Sequence, residues 1–194
     1  GLLIHNFGGI GGPDGEAIVA GTVTGHFAFG DAELGRDPFS GEPLFALRFH
    51  QIYANNPNGI VAGTQDWSAY SGDLQRGWLW LRPISDVLIR QDLFNDVQLS
   101  PRRFSLLDEL GVQANVMMAR YRSGDGTGLS SVTPATSCVQ DSSQTLYIAL
   151  KRLRQQVLAD PELMAWWHAN PRSADSRRFE QLVALGRSLD NLLT

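Results

Sequence analysis

Cysteine and lysine are almost absent from this chain of 194 residues. Its one cysteine, Cys138, excludes an internal disulfide and a zinc site built on several thiolates. Lys151 is the single lysine among 16 basic residues, which stand against 20 acidic residues and leave a net charge of −4. This balance argues against a general nucleic-acid binder, because such a protein carries an excess of positive charge.

Long hydrophobic runs are also missing. No run approaches the roughly 18 apolar residues of a membrane-spanning helix. The N-terminal stretch GLLIHNFGGIGG lacks the basic segment and the apolar length of a signal peptide. The single cysteine fits a reducing compartment, which favours the cytoplasm. Because the chain starts at Gly and ends within a helical pattern, we expect one domain of a longer protein.

The hydrophobic pattern changes its period along the chain. Residues 18–82 alternate between apolar and polar positions, with turn residues at 35–43, which predicts an antiparallel meander. The later period is helical: 100–111 predicts a short helix, 112–121 a last strand, and the region from Ser137 onward three more helices. We therefore predict an α+β fold in which an antiparallel sheet packs against a late helix that bears the cysteine.

The cysteine lies where a helix is expected to begin. In SCVQDSSQTLY, Ser137 is a typical N-cap residue and Gln140 follows three positions later, as in a capping box. Cys138 is then the first helical residue, where free N–H groups and the positive end of the helix dipole favour a thiolate. Since a thiolate is a nucleophile, Cys138 is a candidate catalytic residue.

A thiol nucleophile needs a proton acceptor, and the chain offers four histidines: His5, His26, His50 and His168. His26 is the best candidate on local grounds, because it lies on a strand face of small and polar residues beside Gly25. His50 is second, and His5 is expected in a loose N-terminal segment. No two histidines stand four residues apart, so we predict no metal site and no cofactor.

The segments around these two residues resemble one enzyme superfamily. GHFAFG and SCVQDSSQTLY are similar to the histidine strand and the cysteine helix of the permuted papain-like cysteine enzymes, relatives of the NlpC-type peptidases and of the lecithin:retinol acyltransferase group. Cys138 follows His26 by 112 residues, which suits the permuted order. The resemblance implies a circularly permuted papain-like domain at 1–158 and a C-terminal helical appendage at 159–194.

The same resemblance implies the rest of the catalytic site. In that superfamily a polar residue on the neighbouring strand orients the histidine, as in other catalytic triads. If the hairpin turns around Phe39, His26 faces residues near 51 to 53, which favours Gln51 as this third residue. His50 and Asn55 are the alternatives. Backbone N–H groups at the start of the cysteine helix would hold the oxyanion.

Two functions follow from the resemblance. The first is a thiol-dependent hydrolase or acyltransferase, of the cysteine peptidase or amidase type, in which Cys138 attacks a carbonyl and His26 transfers the proton. Its substrate would be a peptide, a peptidoglycan stem peptide or a lipid acyl group. The alternative is a non-catalytic binding or regulatory module on the same fold, within a larger membrane-associated protein.

A second resemblance concerns the middle of the chain. QIYANNPNGIVAGTQDW, taken with TPATSCVQDSSQTLY, is similar to the soluble region of cyanobacterial proteins classed as CAAX-type membrane proteases. The glutamate-rich membrane motif of those proteases is absent from this sequence. The similarity implies a membrane domain outside this chain as a partner, and no nucleic acid.

Overall fold

Strands dominate the first half of the chain and helices the second, so the predicted α+β class with an antiparallel sheet is confirmed. A computed structural model describes residues 1–8, 25–56, 59–74, 86–89, 91–122 and 137–193. The strands are β1 (Leu2–Gly8), β2 (Gly25–Arg36), β3 (Pro43–Asn56), β4 (Gly59–Asp66), β5 (Asp86–Ile89), β6 (Val97–Leu99) and β7 (Arg102–Phe104). The α-helices are α1 (Trp67–Leu74), α2 (Leu106–Arg122), α3 (Cys138–Leu158), α4 (Pro161–Ala169) and α5 (Ala174–Leu193), and a 3-10 helix (Asp92–Phe94) precedes β6.

The chain divides into two compact units. The sheet unit comprises Gly1–Ile89 and Ala114–Ser142, and the helical unit comprises Arg90–Gln113 and Ser143–Thr194. The division falls inside α2 and α3. The boundary that we predict after residue 158 stays a prediction.

The sheet unit is built on five strands in the order β4-β3-β2-β1-β5, each antiparallel to its neighbours. β2 pairs with β3 through Phe29 and His50, and with β1 through Ala28 and His5. Because successive side chains of a strand point to opposite sides, His26 and Phe27 lie on opposite faces of this sheet.

Each face of the sheet has its own apolar cluster. On one side, here called the Tyr70 face, Tyr70 of α1 packs with Leu3, Ala28, Ala32 and Phe49, and its ring stacks on Phe49 at 4.3 Å between centroids. On the other side, called the Ile52 face, Ile52 packs against Ala114, Met117 and Met118 of α2. The sheet is therefore covered by α1 on one face and by the C-terminal part of α2 on the other.

α2 corrects two predictions. The segment 112–121, predicted as a strand, is helical, because Ala114, Met117 and Met118 bury one side at helical spacing. The predicted helix at 100–111 begins only at Leu106 and continues past Gly111, which we had expected to end it. Pro101 lies in the turn between β6 and β7.

The helical unit packs α3 through one side. Leu146, Leu150, Leu153 and Val157 are buried at the spacing that the sequence predicts. In α4 and α5, the rings of Trp167 and Phe179 meet edge-on at 5.2 Å. None of the described helices is long and apolar enough to span a membrane.

The N-terminus also differs from expectation. His5, predicted in a loose segment, lies in β1 between β2 and β5 and is fully buried. β1 carries two pairing edges, so its residues are fixed by main-chain bonds on both sides. The Gly-rich segment 9–24 and the strand predicted at 75–83 lie outside the described residues.

Candidate functional site

His26 and Gln51 lie together on the Tyr70 face. His26 is 2% exposed and Gln51 is fully buried. Burial, together with the nearby His5, lowers the pKa of His26 to about 3, although the hydrogen bond with the Gln51 side chain acts in the opposite direction. The structure thus brings together the predicted base and the predicted orienting residue. The side chain of the alternative, Asn55, lies outside the described part.

His26 belongs to a buried group of polar rings. Its ring centroid lies 6.5 Å from that of His5 and 6.0 Å from that of Tyr70, and His5 and Tyr70 meet edge-on at 5.2 Å. All three side chains are almost completely buried. Since a charge is costly in such surroundings, the His26 imidazole is neutral over the physiological pH range.

Cys138 is the first residue of α3, as predicted. The backbone N–H of Gln140 donates to Oγ of Ser137 over 3.1 Å, which is the cap that the sequence indicates. Three residues after the cysteine, Asp141 accepts a hydrogen bond from the Tyr121 hydroxyl of α2. Because Tyr121 packs beside the cluster of the Ile52 face, this hydrogen bond joins the first turn of α3 to α2.

Neither Cys138 nor His26 is among the groups that shift the pKa of the other. The His26 side chain points to the Tyr70 face. The groups that act on the Cys138 thiol are the backbone N–H groups of Phe27, Val139 and Cys138 itself, and the Asp141 carboxylate. The catalytic pairing of Cys138 with His26 stays a prediction without geometric support among the described residues.

The thiol itself departs from the predicted thiolate. Burial raises the pKa of Cys138 above its ordinary value, and the negative charge of Asp141 raises it further. Backbone N–H groups at the helix start lower it, as expected, but they do not outweigh the loss of water. The net direction of the shift favours the neutral thiol of Cys138 over the thiolate.

Sequence reasoning missed a polar chain on the Ile52 face. Nδ1 of His50 lies 3.0 Å from Oγ1 of Thr64, and its Nε2 lies 3.5 Å from Oδ1 of Asp31. The sequence marked His50 as the second candidate base, but its two partners are cross-strand neighbours that only the register reveals. The order hydroxyl, imidazole, carboxylate is that of a catalytic relay.

The carboxylate of this chain is already paired. Oδ2 of Asp31 accepts two hydrogen bonds from Arg48, over 2.6 and 3.0 Å. Burial alone would raise the pKa of Asp31, but the hydrogen bonds from His50 and Arg48 and the charge of Arg48 outweigh it and lower the pKa. Arg48 compensates the charge of Asp31. The contacts of His50 with Thr64 and Asp31 therefore serve mainly to connect β2, β3 and β4.

The described residues contain no group of side chains that could bind a metal ion. Among them, no three His, Cys, Asp or Glu side chains are arranged to hold a metal ion.

Among the described residues, large apolar side chains are most exposed at the far end of the β2–β3 hairpin. Leu34 and Phe45 pair across the two strands and are 72% and 54% exposed, and Phe39 at the turn is 98% exposed. We call residues 33–47 the arm. Pairing of β1 with β2 ends at Asp31, and pairing of β4 with β3 ends at Arg48, so the arm extends past both neighbours.

The turn of the arm is well defined. Oδ1 of Asp37 accepts hydrogen bonds from the backbone N–H groups of Phe39 and Ser40, over 2.9 and 2.7 Å. Gly41 follows with a φ of +72°, a conformation that glycine adopts without strain. The turn geometry thus fixes the backbone that presents Phe39 to solvent.

No family model, curated protein or solved structure matches this chain. The resemblances to papain-like enzymes and to CAAX-type proteases therefore stay predictions, and a function has to be argued from the geometry above.

Proposed function

We propose that this chain is a non-catalytic interaction module, the second of the two functions that its sequence predicts, and that it binds a partner protein through the arm. The observation that carries this proposal is the exposure of Leu34, Phe39 and Phe45 on one short hairpin. The raised pKa of the Cys138 thiol supports a module over a thiol-dependent enzyme, because a thiol is a weaker nucleophile than a thiolate.

The apolar side chains of the arm favour a protein as the partner. Large apolar side chains gathered on one surface cost free energy in water, and such clusters mark interaction sites. Aromatic residues also contribute strongly to the centre of protein interfaces. Phe39 and Phe45 supply two aromatic side chains within one arm.

The main chain of the arm adds a second mode of contact. Past Asp31 and Arg48, neither edge of the hairpin is paired with another described strand. Unpaired edge N–H and C=O groups can accept an added strand from a partner. Pro43 lacks an N–H, so the edge of β2 at residues 33–36 is the better template.

The arm can be tested by site-specific photocrosslinking. A benzophenone side chain at position 39, in the full chain expressed in its source cell, should form one dominant adduct with another protein. The same group at Leu192, which is 79% exposed in the helical unit, serves as the matched control. The captured protein is then purified and titrated against this chain by calorimetry.

The replacements Leu34→Ser and Phe45→Ser should weaken that binding at least tenfold without lowering the melting temperature, because both side chains are exposed. Three results would contradict the proposal: an adduct only with a second copy of this chain, insertion of position 39 into lipid vesicles, or equal affinity of the variants and the wild type.

A further inference from the structure

A groove between two helices of the helical unit is a second candidate binding site, independent of the arm. α3 and α5 run antiparallel there, since Tyr147 bonds to Asp190 and Leu150 lies against Gly186. Between them lies an open cavity of about 200 Å³, which we call the helical groove. Its lining includes the almost fully buried side chains of Leu150 and Leu182, so the groove has an apolar floor.

Positive charge predominates along the groove. Lys151, Arg154 and Arg187 line it, against one carboxylate, that of Asp190. The Tyr147 hydroxyl donates to Oδ1 of Asp190 over 2.6 Å, and the nearby carboxylate raises the pKa of Tyr147. The Lys151 ammonium lies 5.6 Å from the centre of the Tyr147 ring. An anion entering the groove therefore meets three cations and a carboxylate that already has a donor.

The two arginines of the groove differ from others in the same unit. Arg152 pairs with Glu109 and Arg178 with Asp175, at 3.2 and 2.8 Å. Arg154 and Arg187 form no such pair with a carboxylate of any described residue. Their guanidinium groups are thus available for an external anion, and guanidinium suits carboxylate geometry.

Gly186 shapes the floor of the helical groove. A glycine inside a helix disfavours folding relative to alanine, and Gly186 lies within the last two turns of α5. Helix packing does not require it, because a Cβ added there would meet Cβ of Leu150 at 3.5 Å, an ordinary contact. The missing side chain instead leaves the depression at the floor of the groove.

We propose that the helical groove binds a small amphipathic carboxylic acid, with its carboxylate between Arg154 and Arg187 and its aliphatic chain over Gly186. The cavity is smaller than the pockets that enclose drug-sized molecules, which selects a short aliphatic acid over a larger ligand. Charge complementarity selects the acid over a neutral or cationic analogue.

Octanoate is the probe, and octanamide, which has the same chain length but no charge, is the control. Calorimetry on the full chain should give octanoate a dissociation constant on the order of 1 mM or lower at low salt. Octanamide should bind at least tenfold more weakly, and added salt should weaken octanoate binding because the cations are near the surface.

Two variants locate the binding. Arg187→Gln should weaken octanoate binding severalfold, whereas Arg177→Gln, an exposed arginine of the same helix outside the groove, should leave it unchanged. Gly186→Ala should weaken binding severalfold while keeping or raising the melting temperature, because the methyl group fills the floor without a clash.

Three results would each overturn the proposal. Octanoate and octanamide could bind equally well, octanoate could fail to bind at concentrations up to about 20 mM, or Gly186→Ala could bind octanoate with full affinity. Binding of an acidic peptide without binding of octanoate would likewise overturn it and assign the groove to a protein. The arm is intact in all these variants, so the outcome leaves the crosslinking result unaffected.

Discussion

At the scale of single residues, burial decides the chemistry of Cys138. The start of a helix stabilises a negative charge by up to about 1 kcal/mol at exposed positions. The thiol has lost most of its contact with water, and a carboxylate lies one turn further along α3. Both effects oppose the thiolate, so a helix N-terminus alone does not make a nucleophile.

We expect iodoacetamide to alkylate Cys138 slowly. The pH dependence of iodoacetamide labelling should give Cys138 an apparent pKa above the value of about 8.5 for a free cysteine. The value should not change in His26→Gln, because His26 is not among the groups that shift the pKa of Cys138. The same protein in urea supplies the reference thiol.

Fast labelling below pH 7 that is lost in His26→Gln would show the opposite. It would establish the Cys138–His26 pair and favour the thiol-dependent hydrolase or acyltransferase over the interaction module.

Local signals at this scale are read well from the sequence. The Ser137 cap depends on neighbours in the chain, and the hydrogen bond to Gln140 confirms it. The position of Gln51 near His26 follows from the hairpin turn. The contact of the Cys138 thiol with the backbone of Phe27 joins segments more than 100 residues apart, and no local pattern encodes it.

At the scale of elements, the prediction that a helix ends at Gly111 was wrong. Gly111 suggested a helix end, yet α2 continues through it because the buried positions on either side maintain one apolar stripe. The gain from burying Met117 and Met118 exceeds the cost of one helical glycine, which is about 1 kcal/mol. Tertiary packing here outweighs local propensity.

Two glycines of β2 allow a matched test of strand packing. A Cβ added at Gly30 would meet the backbone oxygen of Arg48 at 2.3 Å, so the strands must separate in Gly30→Ala. A Cβ added at Gly35 finds its nearest neighbour, Cδ1 of Leu44, at 3.8 Å. We expect Gly30→Ala to lower the free energy of unfolding by roughly 3 kcal/mol and Gly35→Ala to change it by less than about 1 kcal/mol.

Urea denaturation followed by circular dichroism measures both values. Equal stability of the two variants would mean that β2 and β3 are not held at the spacing described for the pair of Phe49 and Gly30.

At the scale of the whole molecule, the sheet hides polar groups on its Tyr70 face. His5, His26, Gln51 and Tyr70 are all buried beside Phe49, an arrangement that the alternation of residues does not predict, since it assigns polar side chains to solvent. The class of the fold could be predicted from the change of period. Which polar residues are inside could not, because that depends on α1 covering the face. Folding therefore requires the His26 imidazole to remain uncharged.

The requirement makes stability depend on pH in a defined direction. His26 titrates near 6.5 when unfolded and near 3 when folded, so between these values the unfolded chain binds more protons. Stability from this group is complete above pH 6.5 and falls as the pH decreases toward 3. From pH 7 to pH 4.5 the free energy of unfolding should decrease by about 3 kcal/mol on account of His26.

Urea titrations at the two pH values, on wild type and on His26→Gln, isolate this contribution, because the other titrating groups are common to both. The difference between the two pH values should shrink by most of that amount in His26→Gln. His168→Gln, a change at an exposed histidine of α4, should retain the wild-type difference. If His26→Gln kept the full pH dependence, His26 would have to be accessible to protons in the folded chain, and the closed polar group on the Tyr70 face would open in solution.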